Sequence, residues 1–558
     1  MKMKLMKIEI KQQQNDPAGS HNSGNVVDEE FYEIAITGDE VASDSETEST
    51  TSLSNDASAH ANSCLYPNVR NSLGSMNVKC KDCGALHFMD ERLTKSSPKN
   101  PLFGSCCLEG RIRLPNLKEP PQQLKELYEG THRLARLFQR YMPRYNSCNA
   151  FTSLGCTLKP RELKGKGPLV FTIHGELRHQ TSTLLPENGD RATYSQLYIY
   201  DPSDVVSKRM KDNPMLDKEV PSTEKDVYVS LQCKSDKDKR RYNLPTIDEV
   251  SVILPGDGTI KSGVRDIVLH LKGSRYLERI NECHPAYLPL HYVLLFPYDE
   301  LSWEPDMVRW NVELKKPTKV RLSQKDYYGY RLFPRVGEYS TILRGGMLLQ
   351  EFLVDAWAAT EQNRLEWMKH GQLKLHAQNY KKVYKMASSN QNPAETGLPL
   401  ILPSSFTCGP RYMDEIYHDS MAITRYNHHP DIFLTMTANP NWEEIRGSLF
   451  QHQQPYERPD ILARVFEMKR KALMDEIQQN KAFETTVTHV YTIEFQKRGL
   501  PHMHALIFLD TADKIHTPEK VDNIVCAEFP DEVDDPLLFE TIQKCMVHGP
   551  CGSRKPDA

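Results

Sequence analysis

Two runs of alternating residues on either side of a tight loop constrain this chain more than any other feature. "TTVTHVYTIEFQ" ends at Gln496, and "HMHALIFLD" begins at His502. Side chains on a strand alternate faces, so His502 and His504 share one face with Leu506 and Phe508. Met503, Ala505, Ile507 and Leu509 take the other. If the five residues Lys497–Pro501 close a hairpin, Gln496 opposes His502 and Glu494 opposes His504, with facing Cβ atoms about 4.5–5.5 Å apart. Two imidazoles and a carboxylate that leave coordination positions open suit Mg²⁺ or Mn²⁺. A structural zinc takes a fourth, closed ligand. The alternative is a buried polar network that binds nothing.

At 558 residues the chain is long enough for several domains. No apolar run approaches a membrane span, and the start "MKMKLMKIEIKQQQ" lacks the apolar centre of a secretory signal. Thirteen Cys are too sparse for a disulfide scaffold and, grouped as they are, fit metal sites in a reducing compartment. Between Lys11 and Arg70 there is no Lys or Arg but there are eleven Asp or Glu; taking them from the formal −4 leaves the remainder at +7. A basic body with an acidic arm suits a polyanion. The same balance describes a solvated surface behind a disordered leader, and charge alone favours that.

Composition and periodicity divide the chain. Residues 1–69 form an acidic leader too polar to offset its ordering entropy. Residues 70–145 are a Cys-rich segment ending in an amphipathic helix over 122–142, with Gly130 its weak point. Residues 146–320 are mixed and β-rich, with short apolar runs such as "DEVSVILPGDG", "RDIVLHL" and "HYVLLFPY". Residues 321–515 hold a helix ending near Gly371, a strand in "PDIFLTMTANPNW", a helix in "RPDILARVFEMKRKALMDEIQQ" and the hairpin. Residues 516–558 are a truncated C-terminal segment.

The hairpin with Glu494 eight residues before His502 resembles the HUH endonucleases. More narrowly, "YTIEFQKRGLPHMHALIFL" resembles the Rep domain of Helitron transposases. "HPAYLPLHYVLLFPYDELSW", "YYGYRLFPR", "ILPSSFTCGPRYMDEIYHDSMAI" and "DIFLTMTANPNWEEI" are similar to Helitron segments in the same order, and "CKDCGALHFMDERL" with "CCLEGRIRLP" matches the N-terminal part. The resemblance spans roughly Lys79 to Ser553.

It implies an α+β architecture: an antiparallel-sheet HUH (Rep-like) domain with flanking helices, preceded by a mixed β-rich domain and a small Cys-rich segment. "FLTMT" would be a central strand. His502 and His504 carry over as metal ligands with Glu494 as the third, or Gln496 in its place, around Mg²⁺ or Mn²⁺. The family's reaction is rolling-circle cleavage of single-stranded DNA, in which a tyrosine hydroxyl becomes linked to the 5′ phosphate. Single-stranded DNA is then the partner, the nucleus the location, and neither a membrane nor a small-molecule substrate is expected.

The family's tyrosines follow the histidine motif, whereas the last tyrosine here is Tyr491. The expectation is a product truncated before its nucleophile, with no catalytic residue assigned; the alternative is a non-catalytic nucleic-acid-binding remnant of a decayed transposon. No G-x-x-x-x-G-K-[ST] occurs, so ATP-driven unwinding is not read here. A histidine-triad hydrolase would need His where Leu506 stands. Cys80-x-x-Cys83 with Cys106-Cys107, and His87 as a further candidate ligand, has the content of a structural zinc site. Adjacent cysteines rarely both reach one ion, and buried free thiols are the alternative. Cys545-x-x-His548-x-x-Cys551 lacks a fourth ligand.

Overall fold

The computed structural model describes residues 4–9, 71–150, short strands between 153 and 280, 284–371 and 402–546, with gaps at 299, 404, 497–498 and 526–528. The architecture is α+β, small antiparallel sheets with helices. In the first part, β2 (Val78–Lys79) pairs with β3 (Leu86–His87). The predicted helix over 122–142 is two, α1 (Gln122–Glu129) and α2 (Ala135–Asn149). Gly130 separates them at φ 82°, a left-handed helix end that costs glycine nothing.

Of the predicted β-rich stretch, "VSV" and "IVLHL" are strands, at Val250–Val252 and Ile267–Leu271. Residues 181–249 of that stretch lie outside the described residues. "HYVLLFPY" is not a strand: helix α3 (Tyr287–His291) runs into a turn, and Leu290 and Tyr292–Phe296 are all buried. An apolar run buried on every side carries no period, so its pattern alone cannot separate strand from helix. An exposed hairpin follows, β4 (Val308–Asn311) with β5 (Lys316–Arg321).

Helix α4 (Gln324–Arg331) is capped by the Ser323 hydroxyl, which accepts from the Asp326 amide. Helix α5 spans Met347–Gly371, as the three- and four-residue steps predict. A single buried cluster joins Cys80, Cys106 and Cys107 to Phe138, to Tyr287–Phe296 and to Tyr327 and Phe352. The segments read as ending at 145 and 320 therefore share one interior.

The histidines sit in a four-stranded antiparallel sheet ordered β1 (Lys4–Glu9), β7 (Thr486–Phe495), β8 (Pro501–Leu509), β6 (Ile432–Thr437). Two readings change. Lys4–Glu9, counted with the leader, pairs along β7. "FLTMT" is an outer strand among the described residues, because nothing described pairs with its far side. A helix the sequence reading passed over, α6 (Pro410–Tyr426), precedes β6; its signal was Pro410 at the first helical position.

Helix α7 (Glu443–Ser448) leads to α8 (Pro459–Gln478), and α8 has two apolar faces. Phe466, Met474 and Ile477 pack on Met503, Ala505 and Ile507 of the sheet. Ile461, Leu462, Val465 and Met468 pack on Leu73, Phe88 and Ile445. Between these faces Arg464 grips Glu91 with two bonds of 2.7 Å and donates to the Leu86 carbonyl. Glu91 also meets the Nδ1 of buried His87 at 2.8 Å. Burial pushes the Glu91 carboxyl up, but Arg464 and these hydrogen bonds outweigh it and hold the group at about 2.

Glu91→Gln should therefore cost about 3 kcal/mol, since a buried guanidinium loses its counter-charge. A carboxylate with a depressed folded-state pKa stabilises above its ordinary value of 4.5 and loses that contribution as pH falls towards 2. Denaturant melts of wild type and variant should differ at pH 7 and converge below pH 4.5. A gap unchanged down that range would show that the charge of Glu91 is not what stabilises.

Candidate metal centres

The hairpin closes with the Gln496 amide donating to the Leu500 carbonyl, at 2.9 Å, so the loop runs from Gln496 to Leu500 and Pro501 starts the strand. A first strand position is one that proline tolerates. The register is consequently two residues from the expected one: Glu494 faces His502, and Thr492 faces His504. A slip of two preserves the faces, where a slip of one would exchange them. Met503, Ala505, Ile507 and Leu509 are buried against α8, and Glu494, His502 and His504 share the opposite face.

From β6, Thr437 faces His502 and Thr435 faces His504. The Thr437 hydroxyl and His502 Nδ1 are hydrogen-bonded at 2.6 Å, and the Gln496 amide lies 3.3 Å from the same nitrogen. In the tautomer whose Nδ1–H donates to the Thr437 hydroxyl, His502 has its Nε2 lone pair for a cation; a bond donated by the Gln496 side-chain amide belongs to the other tautomer. His504 packs at right angles to it, ring centroids 4.4 Å apart, and its Nδ1 is buried without a hydrogen-bond partner. Burial and the neighbouring His504 push His502 below its ordinary pKa against the pull of Glu494, favouring the neutral form that ligates.

Phe433 lies 64% exposed on this face with its ring parallel to His504, at 5.6 Å and 7°. Neither the threonines nor Phe433 was predicted. The alternation in "IFLTMT" puts them on one face, but only the β6–β8 register brings that face to the histidines. Tyr491 takes the other face and is buried in the core beneath Arg470.

The cysteines are gathered far more tightly. Among the described residues, Cys80, Cys83, Cys106 and Cys107 form the one group of potential ligands whose atoms all lie within 4.8 Å of one another. His502, His504 and Glu494 share a face without being drawn together to that degree. Two of the Sγ separations are 3.8 Å, Cys80 to Cys107, and 3.7 Å, Cys106 to Cys107. Four sulfurs about 2.3 Å from a tetrahedral zinc stand about 3.8 Å apart. The quartet can hold a metal such as zinc.

The chain turns sharply just after the adjacent pair. Leu108, Glu109 and Gly110 all have positive φ, at 49°, 55° and 82°. That sharp turn brings the Gly110 amide within 3.2 Å of Cys107 Sγ as a donor. Two non-glycine residues in succession there are strained, and surrounding structure must hold them. Hydrogen bonds from Cys106 and then Cys107 lower the Cys80 and Cys83 thiols, Cys83 to about 7. Cys106 and Cys107 are driven up, Cys106 chiefly by its neighbour Cys107. Four thiolates at this spacing need a cation. His87 stands outside the quartet, bonded to Glu91 and stacked on Phe103 at 4.0 Å. His548 and Cys551 lie outside the described residues.

Residues 327–507 match the family model of the Helitron helicase-like domain at the N-terminus. The chain carries a Helitron-related N-terminal region. The match covers about a third of the chain, from Tyr327 in α4 through "FLTMT" to Ile507 just past His504. The cysteine quartet precedes it in sequence yet is built onto it: the Leu86 amide donates to the Pro334 carbonyl, and Ala85 bridges Arg335. No curated protein matches the chain. No helix among the described residues is long and apolar enough to cross a membrane.

Protein purified under reducing conditions should contain one zinc per chain by elemental analysis, and Cys83→Ser with Cys106→Ser should contain none. Zinc-free wild type would leave the quartet as buried thiols.

Proposed function

We propose that the Helitron-related region holds single-stranded DNA across a divalent cation, Mg²⁺ or Mn²⁺, on the open face of the four-stranded sheet. The observation that carries this reading is that Glu494, His502 and His504 share that face, with Thr437 bonded to one imidazole and the Nδ1 of the other buried and unpartnered. An orphaned polar atom at this position fits a cation-binding role. When bound, a divalent cation supplies Lewis-acid polarisation of a phosphoryl oxygen. The chain's own residues do the rest. Thr437 orients His502, Phe433 offers an exposed ring for a base beside His504, and the packed face behind keeps the strand rigid.

Such a site belongs to a transposon-derived, Rep-like, rolling-circle single-strand endonuclease and strand transferase acting in the nucleus. Its chemistry needs an attacking tyrosine. Tyr491 is turned into the core, on the wrong face, and no tyrosine follows it in this sequence. That favours strand binding without covalent chemistry for these 558 residues.

Calorimetry should detect one Mn²⁺ bound by wild type, and none at this face in His502→Ala with His504→Ala; equal binding by both would remove the assignment. A labelled single strand should bind in a salt-sensitive way. It should give no covalent protein–DNA band on a denaturing gel. Such a band would mean that a tyrosine upstream of the histidines attacks.

A further inference from the structure

The hairpin β4–β5 stands on the surface and is joined through residues 111–112 to the segment that carries the cysteine quartet. Its tip and second strand read "VELKKPTKVR", and Lys315, Lys316, Lys319 and Arg321 are all exposed. Arg111 and Arg113 lie alongside: the Trp310 amide donates to the Arg111 carbonyl at 2.8 Å, and the Arg113 guanidinium covers the Trp310 ring at 4.6 Å. Among the described residues none of these six cations forms an ion pair, although the hairpin's other arginine, Arg309, is bound to Asp326 at 3.0 Å. Exposed acids beside them include Glu313 at the tip, Asp306 at the base and Asp82, whose charge Arg113 favours. Six cations outnumbering the carboxylates beside them, four of the six on one projecting hairpin, suit a polyanion.

The ribbon is braced from within. The Thr318 hydroxyl donates to the Arg309 carbonyl, the Leu314 amide donates to Asn311 Oδ1 in the turn, and the Leu322 amide donates to the Met307 carbonyl at the base. Arg111 is held in turn by the quartet, since the Ile112 amide donates to the Cys107 carbonyl. A site already braced before it meets a ligand loses little entropy on binding.

We propose that this hairpin, with Arg111 and Arg113, is a docking arm for duplex DNA. Lys315, Lys316, Lys319 and Arg321 contact backbone phosphates. A two-stranded ribbon is of a size that the major groove of B-form DNA admits, while the deep, narrow major groove of an RNA duplex does not. Single strands are gripped by open aromatic faces on which bases stack. The hairpin has one aromatic residue, Trp310, and Arg113 covers its ring. Exposed Leu314 at the tip adds an apolar contact for a groove wall. The arm needs no metal at the histidines and stands whether or not they bind one.

The test uses the full chain, with Lys315, Lys316, Lys319 and Arg321 changed together to Gln. Thermal midpoint and circular dichroism should match wild type, because all four side chains are solvent-exposed. Duplex DNA affinity should fall at least about tenfold, and the slope of log affinity against log salt should shrink by about 3 to 4, since each phosphate contact contributes about 0.9. Lys315→Arg with Lys316→Arg and Lys319→Arg should keep wild-type duplex binding, and His502→Ala with His504→Ala should leave it unchanged. Duplex binding and salt slope unaltered by the four Gln substitutions would overturn the proposal. An equal loss on single strands or on duplex RNA would overturn the duplex DNA assignment. So would a loss confined to anionic phosphatidylserine vesicles, which would make the arm a membrane contact.

Discussion

The pairing of Arg464 with Glu91 ties the two halves of this protein together. α8 is apolar on two faces, one against the histidine sheet and one against Leu73 and Phe88, and apolar packing alone leaves the rotation between such layers weakly specified. A bidentate guanidinium–carboxylate pair is directional. With Arg464 also donating to the Leu86 carbonyl, the strand just after Cys83 has a fixed position relative to the helix behind His502 and His504. Nε and Nη2 of Arg464 are bonded, whereas its Nη1 is buried without a hydrogen-bond partner, so the pair gives direction more surely than net stability.

How much of this was legible in the sequence depended on whether the information was local. The two faces of "HMHALIFLD" follow from a period of two, and the buried Met503, Ala505, Ile507 and Leu509 agree. The partner of each histidine did not follow, because it depends on where the loop closes, and the Gln496–Leu500 hydrogen bond moved the register by two. Parity saved the site: Glu494 stayed on the histidine face. "HYVLLFPY" failed for a different reason. Residues enclosed on all sides by the shared core have no polar side to reveal their period. The outer position of "FLTMT" is a matter of strand order, which no local pattern encodes.

The adjacent cysteines mark another limit. Steric reasoning disfavours two neighbouring side chains reaching one point, and it assumes an ordinary backbone. Leu108 and Glu109, just after the pair, depart from one, and Cys106 and Cys107 are both buried within the quartet. Strain of this kind, of order 1–3 kcal/mol per residue, persists where something else holds the backbone in place. A metal shared by four sulfurs is well able to offset it. The two candidate centres thus differ in kind. The quartet is closed, buried and sulfur-rich, suited to structure; the histidine face is open, oxygen- and nitrogen-rich, and suited to a ligand that arrives.

Charge connects the closed centre to its surroundings. Zinc with four thiolates carries a net charge of −2, which a buried site cannot hold without nearby cations or donors. Arg335 is placed for this, its Nη2 3.9 Å from Cys83 Sγ and 3.4 Å from the Cys106 carbonyl, with its guanidinium over the Tyr330 ring. Arg335 belongs to the segment "YYGYRLFPR", which opens the Helitron-related match, while all four cysteines precede it. Were a metal bound, part of its charge would be balanced from within the matched region. Arg335 also meets the buried carboxylate of Glu338 at 3.8 Å, so one guanidinium links the Cys-rich segment to the charges of the Helitron-related region.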